Sequence, residues 1–302
     1  MRLTQLRDLI ATIDSGSIRG AARALQVTPP VLMRNIRDLE KELGQKLLER
    51  TPHGVAPTPA GKAFLARARI VQNELQMIKE ESAQLLGSAG TLTFGASSPA
   101  NVILPGALAA FRNQYPAATV RIVNGLNPTL LPMLREGRIE FAVCARGTLK
   151  DKRIKSQPLF RNESAIVGRP GHPLSKAKTL EELVDADWLV GSAPGDSADL
   201  PWTRTFKLFE ENGLPPPRSI VYCQGTTSQA LLIQTNMLGI TQRSNLYGNL
   251  IQPLQIKARM PASFSFTTHL LLRTDSPLTP AATAMVAAVK AEARKLAFAN
   301  KL

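Results

Sequence analysis

Arg34, Arg37 and Lys41 recur at intervals of 3 and 4 residues, a spacing that gathers side chains on one face of an α-helix. Leu32, Ile36, Leu39 and Leu43 recur at 4, 3 and 4 on another face and should pack inward. A guanidinium held toward solvent can bind a phosphate oxygen or grip a guanine edge through two N–H donors. Val31 and the Pro30 ring offer apolar contact to a thymine methyl, and Met33 lies near the same end. Thr28 is placed to cap this helix, with Pro29 and Pro30 in first-turn positions where a missing N–H costs little. The same face also suits an ordinary solvated bundle helix, so the arginines alone do not decide.

Other chemistry has little to work with. The three histidines, His53, His172 and His269, have no spacing that would ligate a metal. No nucleophile elbow or phosphate-cradling loop appears, and His172 lies in a polar turn, Gly171–Leu174. We expect no catalytic residue, no metal and no cofactor. Cys144 and Cys223 cannot form a disulfide framework, which points to a reducing compartment, and burial in or beside strands is the simplest role for both.

The elements that must present the arginines can be read around them. Leu6, Leu9, Ile10 and Ile13 form the apolar face of a first helix, stopped by Gly16. Ser17 can cap a second helix whose Ile18, Ala21, Ala22 and Leu25 are buried. Two helices joined by a short turn, the second showing its N-terminal end to solvent, make a helix-turn-helix. After Leu47-Leu48 the stretch Glu49 to Val55 reads as a small β-hairpin wing, with Arg50 and His53 available to a phosphate backbone.

Composition sets the outer bounds. The 302 residues suffice for two or three domains, and 44% apolar with 20% charged residues excludes wholesale disorder. The net charge of +14 points to anionic partners but does not locate them. Residues 1–90 hold 13 Lys+Arg against 9 Asp+Glu, a balance of +4, whereas residues 91–302 hold 24 against 14, a balance of +10. Position on a defined element must therefore find any nucleic-acid site. Arg7, Asp8 and Asp14 interrupt any apolar leader, and the uncharged stretch Gly87–Phe111 carries Pro99 and Pro105, so a membrane partner is not expected. The expected home is the cytoplasm.

Residues 1–61 resemble the winged helix-turn-helix of the LysR-type transcriptional regulators. The matching runs are "LRDLIATIDSGSIRGAARALQVTPPVLMRNIRDLEKELGQKLLERT" and "GVAPTPAG". The sequence departs from the family where DNA is read. Pro29, Val31 and Met33 stand where glutamine, alanine and serine are usual, so a potential adenine contact is lost. The resemblance implies that double-stranded operator DNA, a small effector and other copies of the chain are partners, the last as a dimer of dimers, with RNA polymerase as a further one. Thr28, Pro30, Val31, Met33, Arg34, Arg37, Arg50 and His53 are then the expected DNA-binding residues.

Thr58 can cap a helix that runs to about Leu86. Along it Phe64, Ala68, Val71, Leu75, Ile78, Ser82 and Leu85 make a heptad seam suited to dimerisation. From Thr91 strands and helices alternate: strands near 92–96, 119–123, 139–144, 164–168, 188–190, 219–222 and 268–273, with helices between and a last one over 280–296. This alternation predicts parallel sheets with helices on both faces, as two small α/β lobes between which the chain crosses twice. The fold class is therefore α/β with an N-terminal winged helical part, and the rear half resembles the family's two-lobed effector domain, similar to periplasmic binding proteins. The expected divisions are 1–58 for DNA binding, 59–88 for the linker helix and 91–302 for the effector half. Within that half, 91–163 and 268–302 make one lobe and 164–267 the other.

In such sheets a ligand sits beyond the carboxyl ends of strands, near helix N-termini. Those ends supply Ser97, Ser98, Asn127, Arg146, Trp202, Thr226 and Thr227 as candidate effector contacts. Ser98 and Asn127 also match effector positions of the resembling family, and Thr226 and Thr227 do so more loosely. Hydroxyls and helix-start N–H groups suit an anionic effector, and Trp202 could flank an aromatic ring. Each of these residues alone could equally be a cap or turn. Two readings stay beside the ligand-responsive regulator: a small-molecule-binding protein of the periplasmic-binding-protein fold, and a DNA-binding protein that needs no effector.

Overall fold

The computed structural model describes residues 1–302 except 53, 86–89, 146–150, 192–200, 224, 245, 247–248 and 300–302, and omits the side chains of 201–203, 263 and 298–299. Helices α1 (Leu3–Ser15), α2 (Ile18–Ala24) and α3 (Pro29–Leu43) enclose a core of Leu6, Leu9, Ile10, Ala21, Leu32, Ile36, Leu39 and Leu47. Gly16 ends α1 in the left-handed conformation at φ 61°, and the Ser17 hydroxyl then accepts from Gly20 N at 3.3 Å to start α2. Pro29 and Pro30 open α3 as expected, but Thr28 caps it through its carbonyl alone, which accepts from Leu32 N at 3.1 Å. Its hydroxyl makes no capping bond and stays exposed.

The wing is real: β1 (Leu48–Thr51) and β2 (Gly54–Pro57) pair antiparallel. It docks on the α1–α2 turn, where Gly16 O accepts from Val55 N at 2.9 Å. Gly54 makes this approach possible. At φ +130° it lies where side chains rarely fit, and a Cβ there would come within 2.3 Å of Gly16 O.

Helix α4 (Pro59–Leu85) begins at Thr58, whose hydroxyl accepts from Gly61 N at 3.0 Å. The expected seam divides in two. Phe64 and Ala68 join the core of the chain's own helix-turn-helix, whereas Val71, Ile78 and Leu85, one heptad apart, stay exposed at 42%, 61% and 72%. Another face of α4 is fastened to the effector half. Glu74 accepts from Arg273 and, at 3.1 Å, from Ser276 Oγ; Asn73 Nδ2 donates to Glu136 O at 2.6 Å, and Gln84 Oε1 accepts from Ala281 N at 3.0 Å.

The effector half departs from the sequence reading in its sheet. Its strands are β3 (Thr91–Ala96), β4 (Thr119–Asn124), β5 (Phe141–Ala145), β6 (Ile154–Gly168), β7 (Asp187–Val190), β8 (Ser219–Tyr222), β9 (Leu238–Gln242), β10 (Gln252–Pro253) and β11 (Ser265–Arg273). Among the described residues they form one mixed sheet in the order β4-β3-β5-β11-β6-β9-β7-β8, with β10 beside β6. The periodicity of β6 hid its length. Its first ten residues keep no clean alternation between core and solvent and carry Pro158, and only 164–168 are an unbroken buried run. Strands β6 and β11 pair antiparallel and serve both lobes: Phe160 and Leu270 belong to the first core, Ile166 and the neighbouring Phe264 to the second.

Helices cover both faces. In the first lobe α5 (Leu104–Gln114) and α9 (Pro280–Ala299) pack on Leu92, Phe94 and Val143, while α6 (Asn127–Arg135) packs on Ala142, Cys144 and Leu271. In the second lobe α7 (Pro201–Glu211) brings Leu208 and Phe209 to Trp188 and Ile166, and α8 (Thr226–Gln234) brings Leu232 to Ala165, Val167 and Leu189 on the opposite face. Cys144 is buried, and that burial pushes its thiol up to about 12, far from the reactive thiolate. Cys223 is half-buried just beyond β8.

Candidate functional site

The exposed end of α3 presents Thr28, Pro29, Pro30, Val31, Arg34 and Arg37 to solvent, with Met33 half-buried among them. Pro29, Pro30, Met33, Arg34, Arg37 and Asp38 line one shallow groove. Arg50 is exposed on β1, and His53, between the two wing strands, lies outside the described residues. The surface therefore joins basic and apolar groups at the width of one helix end, which fits base edges and phosphates in a major groove.

What holds that helix at its angle was not read from the sequence. Asp8 on α1 is fully buried and accepts from Asn35 Nδ2 on α3 at 2.7 Å and from Arg7 Nη2 at 2.9 Å. A carboxylate in an apolar run gave no signal, because its partner is 27 residues away. Asp8→Ala would strand the Asn35 amide. It should cost about 1–3 kcal/mol of stability in the DNA-binding half, measured by urea unfolding followed by circular dichroism; an unchanged midpoint would refute the tether.

Glu40 closes the other end of α3. Its Oε1 accepts from Leu47 N at 2.9 Å and Leu48 N at 3.2 Å, and Lys46 Nζ donates to Oε2 at 2.9 Å. Burial pushes this carboxyl up, but the Lys46 ammonium and the two N–H groups outweigh it and hold the carboxyl below the usual 4.5. A carboxyl lowered on folding adds stability above its unfolded value and loses it as pH falls through the folded one. Wild-type protein should therefore lose stability on acidification below about pH 4.5 more steeply than Glu40→Gln. Parallel pH profiles in the two proteins would show that the carboxylate is not linked to folding.

The second candidate site lies where the two lobes meet. Ser98, in the 3-10 turn after β3, donates from Oγ to Gln242 Oε1 on β9 at 3.4 Å, a contact from one lobe to the other. Ser97 is buried, its N–H donating to Val143 O at 3.0 Å and its hydroxyl unpartnered among the described residues. Asn127 begins α6, but its amide donates to Ala145 O at 2.9 Å and so ties α6 to the end of β5. Thr226 and Thr227 are exposed in the first turn of α8, on the sheet face opposite α7. Arg146 lies outside the described residues, as does the Trp202 side chain, although Trp202 itself sits in the first turn of α7.

Three residues at this waist were missed. Gln242 lies on β9, which the sequence reading did not draw; Ser164 pairs with it in register on β6. Arg204 on α7 places its guanidinium 4.6 Å from the centre of the Phe266 ring, and burial lowers its pKa. An arginine on the inward face of an amphipathic helix was the available signal. His172 is structural: Leu174 N donates to its Nδ1 at 3.0 Å, which leaves Nε2 to donate to Asn236 O at 2.8 Å. His269 Nδ1 shares a hydrogen bond with Ser156 at 2.9 Å. Among the described residues no three His, Cys, Asp or Glu could hold a metal, and no helix is long and apolar enough to cross a membrane.

A winged helix-turn-helix carried on a long helix, followed by two α/β lobes meeting at a polar waist, defines a DNA-binding protein with a receptor half. Residues 3–62 match the bacterial regulatory helix-turn-helix protein model of the lysR family, and residues 86–294 match the LysR substrate binding domain. The HTH-type transcriptional regulator CbbR of Sinorhizobium medicae is 33% identical over 217 residues, covering 70% of this chain and 69% of that protein. GbpR of Azospirillum brasilense, another HTH-type transcriptional regulator, is 26% identical over 303 residues, 96% of this chain and 86% of that one. Full-length CbnR complexed with its target DNA shares the fold at TM-score 0.67 and 23% identity, over 97% of this chain and 100% of the other. The chain belongs to the LysR family of DNA-binding transcription regulators. It is a regulator and not an enzyme, and the match of the helix-turn-helix sets aside a free-standing solute-binding protein.

Proposed function

We propose that this regulator reads operator DNA through the exposed end of α3 and the wing, and answers to a small anionic effector held between its lobes. The observation that carries the reading is the groove of Pro29, Pro30, Met33, Arg34 and Arg37 on an otherwise apolar-cored helix. Arg34 and Arg37 contact bases or phosphates, Val31, Pro30 and Met33 contact thymine methyls, and Thr28, Arg50 and His53 contact the backbone. The relative CbnR is held on its target DNA, which supports the same use of the corresponding elements. The working divisions are 1–58, 59–88 and 91–302, with the lobes at 91–163 plus 268–302 and at 164–267. Ser97, Ser98, Asn127, Arg146, Trp202, Thr226 and Thr227 surround the effector, with Asn127 acting through the end of β5 it anchors.

Copies of the chain pair through Val71, Ile78 and Leu85 on α4 and assemble as a dimer of dimers in the cytoplasm. Two recognition helices then meet half-sites about one turn of DNA apart. The effector biases one arrangement of the assembly over another, and RNA polymerase is the partner that senses it. The test is a titration on the DNA upstream of the regulator's own gene, against a scrambled duplex at two salt concentrations. A preference of about a thousandfold supports the reading. Equal binding to both duplexes refutes readout of that site, and no binding to either refutes the DNA role of α3.

A further inference from the structure

The face that α4 lays on the first lobe is polar. Asn73, Met77, Glu80 and Gln84 recur at 4, 3 and 4 residues, one stripe of the helix, and only Met77 is apolar. A permanent seam between packed elements would carry large apolar residues along such a stripe, as α3 does toward α1. This one is held by single hydrogen bonds: Asn73 Nδ2 to Glu136 O, Thr91 N to Glu80 Oε2 at 2.6 Å and Ala281 N to Gln84 Oε1 at 3.0 Å. It is also incompletely satisfied. Arg273 Nη1 and Gln84 Nε2 are buried without partners among the described residues. A cavity of about 10 Å³ remains between Met77 and Ile139, Glu140, Arg273, Ser276 and Pro277.

Carboxylates crowd the same joint. Half-buried Glu140 lines the cavity, and its Oε2 accepts from Thr279 N, just before α9, at 3.1 Å. The charges of Glu80 and Glu81 act on it from α4. Arg273, its side chain only 7% exposed, lines the same cavity but is engaged by Glu74 and, at 3.3 Å, by Asp275. In the turn before Glu140, Arg138 pairs with Glu136 at 3.9 Å, and neither β3 nor α9 before Lys290 carries a charge. Burial raises the Glu140 carboxyl above its usual 4.5; the Thr279 bonds oppose this, and the Glu80 and Glu81 charges add to it. An ionised Glu140 is therefore tolerated poorly with α4 docked, and well once α4 has moved away and water reaches it.

We propose that the joint of α4 with the first lobe is a proton-operated latch, closed while Glu140 is protonated and weakened once Glu140 is ionised. The closed state binds the proton more tightly than the open one. Closure is thus fully favoured below the open-state value of about 4.5, and the advantage is lost as pH rises through the raised closed-state value. Released from the lobe, α4 no longer follows its movements, so the coupling of the reading head to the rear half weakens as pH rises.

The test is amide hydrogen exchange at single-residue resolution on the full-length protein, from about pH 5 to about pH 8, with rates expressed as protection factors so that the intrinsic pH dependence cancels. The Thr91 and Ala281 amides report the joint, and Leu270, buried in the middle of the sheet, reports global unfolding. In the wild type, protection of Thr91 and Ala281 should fall at least about threefold across this range, without a matching fall at Leu270. Glu140→Gln keeps the shape and cannot ionise; its protection should match the wild type at the acid end and stay level. Glu81→Gln removes one exposed facing charge and should shrink the wild-type fall. A flat wild-type profile would overturn the latch. So would protection that rises with pH, which would show that the Glu74–Arg273 pair alone holds the joint, and so would an equal fall in Glu140→Gln, which assigns the titration to another group. Should Glu140→Gln lose protection at Leu270 through misfolding, an undiminished fall in Glu81→Gln overturns the latch in its place.

Discussion

Arg34→Ala should weaken binding to the operator by about 1–3 kcal/mol, a factor of roughly 5 to 150, with no change in melting temperature. The side chain is exposed on α3, beside the groove formed with Pro29, Pro30, Met33 and Arg37, and it contributes nothing to the buried face of Leu32, Ile36 and Leu39. Its loss therefore leaves the fold intact and removes a contact made only on DNA. The size of the loss on scrambled duplex assigns the contact. A base contact costs affinity on the operator alone, whereas a phosphate contact costs both duplexes equally and lowers the salt slope by about 1. Full operator affinity in the variant would remove Arg34 from the interface altogether. Pro29 and Met33 make the base-contact outcome the informative one, because on the family resemblance they put apolar groups where a hydrogen-bonding glutamine and serine are usual.

Gly61→Ala should cost more than about 3 kcal/mol and abolish DNA binding. A Cβ at Gly61 would lie 2.0 Å from Leu47 O and 2.9 Å from Leu47 C, both backbone atoms. Neither can yield: Leu47 is fully buried, its carbonyl accepts from Thr58 N at 3.0 Å, and its N–H donates to Glu40. The two tryptophans, Trp188 and Trp202, both belong to the effector half, so the damage has a distinct signature. Far-ultraviolet circular dichroism should show an early transition that tryptophan fluorescence does not follow. A single transition at the wild-type midpoint by both probes would mean that the α4 start tolerates the methyl.

The sequence exposed those parts whose logic is local. The helix-turn-helix was legible because Gly16, Ser17, Pro29 and Pro30 mark boundaries and the leucines keep one period. The wing was legible from Pro and Gly between two short apolar runs. The α/β character of the rear half followed from alternation, but its single mixed sheet did not. β9 is only five residues long, and the core-facing and solvent-facing residues of β6 read as loop until its last third. The waist was half legible. Ser97 and Ser98 follow a strand end that any α/β reading inspects, whereas Ser164 and Gln242 meet only through register across strands far apart in sequence, and Arg204 meets Phe266 from a helix. Asn127 was read as a ligand contact from its place beyond the end of β4, and the sequence held no sign that its amide also holds the end of β5. Asp8 escaped for the same reason as Arg204: its meaning lies in a partner on another element.

The fastening of α4 has a mechanical consequence. At its start the helix is embedded in the reading head through Phe64 and Ala68, and from Asn73 to Gln84 it is bonded to the first lobe. A rigid rod gripped along its length by one body cannot absorb a rotation of that body; it transmits it. The arm that projects beyond the grip, Pro59 to Asn73, is roughly 21 Å long at about 1.5 Å per residue, so a tilt of about 10° at the lobe would sweep its far end by about 3.6 Å, close to the rise of one base pair. The helix is thus the lever arm of the molecule, and the Glu74–Arg273 and Gln84–Ala281 bonds are its fulcrum.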